Sequence, residues 1–148
     1  MSHHLAQINV ARLRAPLEAP ETAGFVAALA PVNARADAAP GFVWRLQTEA
    51  GDATAIEVSD DPLVIVNLTV WESIEALEAF AYREQSHLAV LRRRREWFES
   101  HAAPHTALWW VPAGETPSLE DALERLDELR AYGPSPRAFT FKDRFPSG

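Results

Sequence analysis

Leu63-Val64-Ile65-Val66-Asn67-Leu68-Thr69-Val70-Trp71 is the stretch on which the reading of the whole chain turns. In an extended strand successive side chains point to opposite sides. Val64, Val66, Leu68 and Val70 then form one wholly aliphatic face, and Leu63, Ile65, Asn67, Thr69 and Trp71 form a mixed one. Two faces of different chemistry call for two different neighbours. The aliphatic face suits a packed core, while Asn67 and Thr69 place polar groups on a face that a core alone does not satisfy.

Working outward, Leu5 to Leu13 alternates in the same way, with Ala6, Ile8 and Val10 against Gln7 and Asn9, and Pro16 and Pro20 end it. From Glu21 the spacing turns helical through Phe25, Leu29 and Val32, with Pro31 either kinking the helix or opening its second half. Pro40-Gly41 stops it, Phe42 to Thr48 reads as a second strand, and Glu49 to Pro62 reads as a long irregular connection. Ser73 is placed to cap a helix carrying Ile74, Leu77 and Phe80, and a further helix runs from about Gln85 to Ser100. His105 to Val111 alternates again, and Ser118 with Asp121 opens a last helix with the stripe Leu119, Ala122, Leu126 and Leu129, closed at Gly133-Pro134. Ala138 to Lys142 reads as a short edge strand.

The order without the extra helices is β-α-β-β-α-β, the split unit of a ferredoxin-like α+β domain. One domain over residues 1–148 is expected, with a core of about 4–132 and a C-terminal tail of 133–148. In that arrangement helices cover one sheet face. The mixed face is read as the open one, to be covered by a second copy, so that two sheets form a dimeric α+β barrel with a small-molecule cavity between sheet and helix or between the sheets.

Composition narrows the classes. There is no cysteine, which removes disulfides, thiolate metal sites and a cysteine nucleophile. A net charge of −7 argues against nucleic acid and against an anionic membrane surface. No apolar run approaches the ~18 residues of a membrane span, so a cytoplasmic protein is expected. The four arginines 92–95 are consecutive, which on a helix spreads them around the axis; pairs Arg92–Glu96 and Arg95–Glu99 are expected at i,i+4. His101 and His105 have a helical ligand spacing that Pro104 interrupts, so no metal site is expected. No glycine-rich phosphate loop or serine-hydrolase elbow is present in the sequence.

Leu5-Ala6-Gln7-Ile8-Asn9, Gly41 to Leu46, Val66 to Ser73, Arg92 to Phe98, Leu108 to Gly114 and Ala138 to Phe141 together resemble an uncharacterised bacterial family. That family is grouped with the dimeric α+β barrels of the antibiotic-biosynthesis monooxygenase type, and the resemblance spans nearly the whole chain. It implies a fold and a dimer. Cofactor-independent quinone-forming monooxygenases of that superfamily use an Asn on a central strand and a Trp shortly after it, to which Asn67 and Trp71 are similar. Haem-degrading relatives use an Asn, a Trp and a His, to which Asn9, Trp71 and His87 are similar in order, although 16 residues and a helix break separate Trp71 from His87.

The resulting candidates are His87, Asn67 and Trp71 as catalytic residues, and Asn9, Thr69, Arg94 and Trp97 as substrate-binding residues. His87 and Arg94 are seven residues apart on one helix, so the reading puts an acid/base imidazole and an oxyanion-binding guanidinium on one face, with Trp97 alongside. The plainer alternative makes His87 a surface or capping residue, Arg94 half of an ion pair, and the tryptophans core. The leading expectation is a monooxygenase-like enzyme for a compact aromatic or apolar substrate, with no cofactor. A haem-binding protein and a non-catalytic ligand-binding dimer are the alternatives.

Overall fold

Alternation builds the centre of the molecule as read: Val64–Trp71 is a strand, β3, and His3–Arg12 is the strand β1 beside it. The two run antiparallel with Leu5 opposite Trp71, Gln7 opposite Thr69 and Asn9 opposite Asn67. Phe42–Arg45 (β2) pairs with the far edge of β3, and Thr106–Pro112 (β4) with the other edge of β1, giving the order β2-β3-β1-β4, antiparallel throughout. This is the sheet of a ferredoxin-like α+β domain. The computed structural model describes residues 2–47, 60–83, 85–99 and 104–147, the side chains of residues 83, 85–87 and 90 excepted. Most of the connection expected between the second and third strands, and His101, lie outside the described residues.

The helices are α1 (Ala23–Asp37), entered through a single tight turn at Pro20–Thr22, then α2 (Ile74–Arg83), α3 (Gln85–Trp97) and α4 (Leu119–Tyr132). Ser73 caps α2 as its position predicts, its Oγ accepting from the Ala76 N–H at 3.1 Å. Ser118 does the same for α4, accepting from the Asp121 N–H at 3.1 Å. At the other end the Gly133 N–H returns to the Leu129 carbonyl at 2.9 Å, with φ at 83°. Pro31 lies inside α1, which continues through it to Asp37.

Which helices cover which face differs from the expectation. On the mixed face, Leu5, Trp71 and Leu108 pack with Ala36 of α1, Ile74, Leu77 and Phe80 of α2, and Phe139. Further along it, Leu13 packs with Phe25 of α1 and Trp97 of α3. The aliphatic face, with Ala6, Ile8, Val66, Leu68 and Val70, carries Ala122, Leu126 and Leu129 of α4. The face read as open is therefore the one under three helices, and the other is under the fourth. Periodicity divides residues between two faces but does not say which helix lies on which; the small, aliphatic stripe of α4 matches the aliphatic face, and the aromatic bulk of α2 and α3 matches Trp71 and Leu13.

Three smaller corrections follow from the coordinates. Residues 138–142 contribute two isolated bridges, Ala138 to Ser135 and Phe139 to Leu108, instead of a strand, yet Ala138 and Phe139 are fully buried, so part of the tail belongs to the core. On α3, Glu96 pairs with Arg93 (2.9 Å) instead of Arg92. Glu99 pairs with Arg12 of β1 instead of Arg95. A helix-only rule misses the second because the competing cation arrives from a strand.

Candidate functional site

On the face beneath α1, α2 and α3 the central strands carry two polar rows. In the first, Asn9 of β1 stands between Asn67 of β3 and Thr106 of β4. Its Nδ2 donates to Thr106 Oγ1 at 2.7 Å, while Asn67 is exposed although both its strand neighbours, Val66 and Leu68, are buried. The Asn67 side chain makes no hydrogen bond to another described residue, so within them its N–H groups and carbonyl are available to a ligand.

In the second row Gln7 stands opposite Thr69. The Trp71 Nε1–H donates to Thr69 Oγ1 at 3.0 Å, and that hydroxyl donates to Gln7 Oε1 at 2.8 Å. Every member of this chain is buried, and each link satisfies a group that would otherwise be orphaned. Trp71 is stacked on Phe80 with centroids 5.5 Å apart and meets Phe42 edge-on at 5.4 Å. Beyond the Asn row, Phe25 and Trp97 pack at 5.7 Å. The neutral polar strip Gln7, Thr69, Asn9, Asn67 and Thr106 thus runs between two aromatic clusters on one sheet face.

The structure brings some of the candidates together and separates others. Asn9 and Asn67 are cross-strand partners, and Thr69 and Trp71 follow on the same face. Trp71, fully buried, has its only polar atom engaged by Thr69. Trp97 is 2% exposed between Leu13 and Phe25, with the Arg93 guanidinium over its ring at 4.8 Å. Arg94 is exposed and lines a groove with Tyr82, Leu88, Leu91, Arg92 and Arg95, a lining that includes none of the Asn or Thr candidates. Arg94 and Trp97 lie only about 60° apart around α3, yet Trp97 is buried and Arg94 exposed, so the boundary between the inner and outer faces of the helix falls between them. The side chain of His87 lies outside the described residues.

Gln7 and Thr106 escaped the sequence reading. Their signal was the match between two strands: Gln7 and Asn9 alternate on β1 as Asn67 and Thr69 do on β3, which antiparallel pairing aligns into two rows.

Ionisable groups with shifted pKa sit outside the strip. The Arg12 guanidinium, bonded to both Asp61 and Glu99, holds the Asp61 carboxyl below the ordinary carboxylate value, helped by the Leu63 N–H. Arg93 does the same to Glu96, and Arg137 to Glu128. Among the described residues no group of three or more His, Asp or Glu could hold a metal ion, and no helix is long and apolar enough to cross a membrane.

The fold has solved counterparts. A Nitrosomonas europaea protein of unknown function superposes with a TM-score of 0.51 at 14% identity, over 78% of this chain and 96% of that one. A second protein of that organism, described as "Putative antibiotic biosynthesis monooxygenase", gives 0.50 at 17% identity, over 79% and 97%. The cofactor-independent oxygenase SnoaB of Streptomyces nogalater gives 0.49 at 19% identity, over 78% and 97%. These likenesses concern the fold. No curated protein matches the chain. Residues 4–148 match the domain of unknown function DUF3291, and the chain belongs to that family.

Proposed function

We propose that this protein is a monooxygenase-like enzyme that holds a compact aromatic or apolar substrate over the Asn9–Asn67 row, and that it works as a cytoplasmic homodimer. The observation that carries the reading is the exposed, unpaired Asn67 carboxamide, in register with Asn9 and flanked by two aromatic clusters. Aromatic walls supply apolar contact, and a few convergent polar groups fix orientation, which is the usual composition of a small-molecule site.

The chemistry suited to this strip is one in which the substrate does the redox work. A hydroxyarene oxidised by O₂ to a quinone loses two hydrogens, gains one oxygen atom and releases water. As negative charge gathers on the substrate oxygen, the Asn67 N–H groups stabilise it by donating to it. Asn9, tied to Thr106, lies beside that oxygen as a second polar contact. The Thr69–Gln7 chain fixes Trp71, which supports the Phe42 and Phe80 rings from within the core, as Trp97 supports Phe25 at the other end. His87 is the acid/base group of the proposal. Trp71, enclosed by Phe42 and Phe80, offers no face to a haem.

A non-catalytic ligand-binding role is the second reading, favoured by the absence of any ionisable side chain in the strip itself. One experiment separates the two. With 1,8-dihydroxyanthrone as probe, O₂ uptake and quinone absorbance above the protein-free rate, lost in Asn67→Ala, support the enzyme. Stoichiometric quenching of tryptophan fluorescence without turnover, also lost in Asn67→Ala, supports binding alone. Neither response, or an identical response from Asn67→Ala, removes the site.

A further inference from the structure

We infer that the groove between α2 and α3 is a second ligand site, specific for a small organic oxyanion, a carboxylate or phosphate monoester carried on an apolar body. Leu88, Leu91, Arg92 and Arg95 recur at i, i+3, i+4 and i+7 on α3, so they form one stripe, and Arg94 adds a third guanidinium at its edge. Across from them stands Tyr82 of α2, half-exposed and held by an edge-on contact with Phe141 at 5.4 Å. Together they line a groove of about 420 Å³, within the range of small-molecule sites.

Charge is the second observation. The protein carries a net −7, and several of its surface arginines are tied to acids, Arg93 to Glu96 and Arg125 to Asp121 on helices and Arg137 to Glu128 beyond α4, while Arg130 of α4 donates to the Pro104 carbonyl. Arg92, Arg94 and Arg95 have no acidic partner among the described residues; the one side-chain bond of the three is Arg94 to the Leu91 carbonyl, at 3.5 Å. Three cations close together on one helix, with no acidic partner among the described residues, repel one another, and an oxyanion among them relieves that repulsion while accepting charge-assisted hydrogen bonds. The floor of Leu88 and Leu91 and the ring of Tyr82 then receive the ligand's apolar part.

Size selects a small ligand over a polyanion. Residues 92 to 95 span about 4.5 Å of helix rise, the footprint of a single oxyanion. A nucleic acid would need a basic track several turns long, and the net charge of −7 opposes one.

The test uses 2-naphthoate and 2-naphthyl phosphate, with neutral 2-naphthamide as control, titrated calorimetrically into the intact protein. At least one of the two anions is expected to bind at one equivalent, with affinity falling as salt rises, and more tightly than the amide. Arg92→Gln and Arg95→Gln should each weaken it by about tenfold or more, the loss of one charge-assisted hydrogen bond. Arg94→Gln should weaken it less. Circular dichroism should be unchanged, since all three side chains are exposed. Asn67→Ala should retain the binding, which separates this groove from the sheet site. Equal affinity for the amide, indifference to both Arg92→Gln and Arg95→Gln, or loss in Asn67→Ala overturns the assignment. So does tighter binding of a short oligonucleotide that the same arginine substitutions abolish, which would make the arginines a polyanion surface.

Discussion

Thr69 and Asn67 sit two residues apart on one strand, on the same face, and the structure gives them opposite duties. Thr69 is buried and bonded on both sides, to Trp71 and Gln7, whereas Asn67 is exposed and its side chain bonds no other described residue. Thr69→Val keeps the shape but orphans the Trp71 N–H and the Gln7 carbonyl. It should therefore cost about 1–3 kcal/mol in urea unfolding. Asn67→Ala breaks no side-chain hydrogen bond among the described residues and should fall within about 0.5 kcal/mol of the parent by the same measurement, while removing ligand binding. Equal stability losses in the two variants would mean that Asn67 is structural. Both residues drew attention in the sequence as polar interruptions of a hydrophobic strand; only their bonds distinguish a structural interruption from a functional one.

At the scale of elements, the turn that joins α1 to β2 is held against α2. Gly41 has φ at 81°, and a Cβ there would meet the Cβ of Ala76 at 2.5 Å, too close for either to remain in place. Gly41→Ala combines left-handed strain with overpacking and should destabilise by about 2 kcal/mol or more. Ser118→Ala, which removes only the cap of α4, should cost about 1 kcal/mol. Chemical denaturation of both variants checks the order; a Gly41→Ala milder than Ser118→Ala would show that α2 shifts away without penalty. The Pro-Gly stop and both serine caps are local signals. The Ala76 contact is not, because it joins residues 35 positions apart in sequence.

Over the whole molecule, exposed ion pairs tie the elements together: Arg12 joins β1 to Asp61 and Glu99, and Arg137 joins the C-terminal segment to Glu128 of α4. The Asp61, Glu96 and Glu128 carboxyls are held below their ordinary values of 3.8, 4.5 and 4.5 by these arginines and Arg93. A carboxyl lowered in the folded state contributes stability that is full above its unfolded pKa and lost as pH falls through the folded one. Unfolding midpoints should therefore decline as pH drops below about 4.5, and the decline should shrink in high salt, since all three pairs are solvent-screened. A midpoint that rises on acidification would contradict the pairs. Assembly is the second test at this scale. Val10, Trp44, Leu46, Leu119 and Leu123 are half-buried around the aliphatic cluster beside α4, an apolar rim that a second copy would cover. Light scattering at low micromolar concentration should give twice the chain mass of 16.4 kDa; a monomer mass would sink the dimer.

Apart from the edge strand read at 138–142, the sequence alone determined the elements, their order and the split β-α-β-β-α-β plan, because alternation, helical spacing, serine caps and Pro-Gly stops act over a few residues and are written where they act. It also marked Asn67, Asn9 and Trp71, since each is a polar or aromatic exception within a periodic run. Tertiary structure decided the rest. Only pairing of β1 with β3 aligned Asn9 with Asn67 and Gln7 with Thr69, and only helix packing put α1, α2 and α3 over that face and α4 over the other. The same packing turned Trp97 inward and Arg94 outward, and gave Glu99 to Arg12. The physical reason is range: a residue's periodicity fixes the side of its own element on which it lies, but what stands on that side is chosen by shape and charge matching between segments distant in sequence.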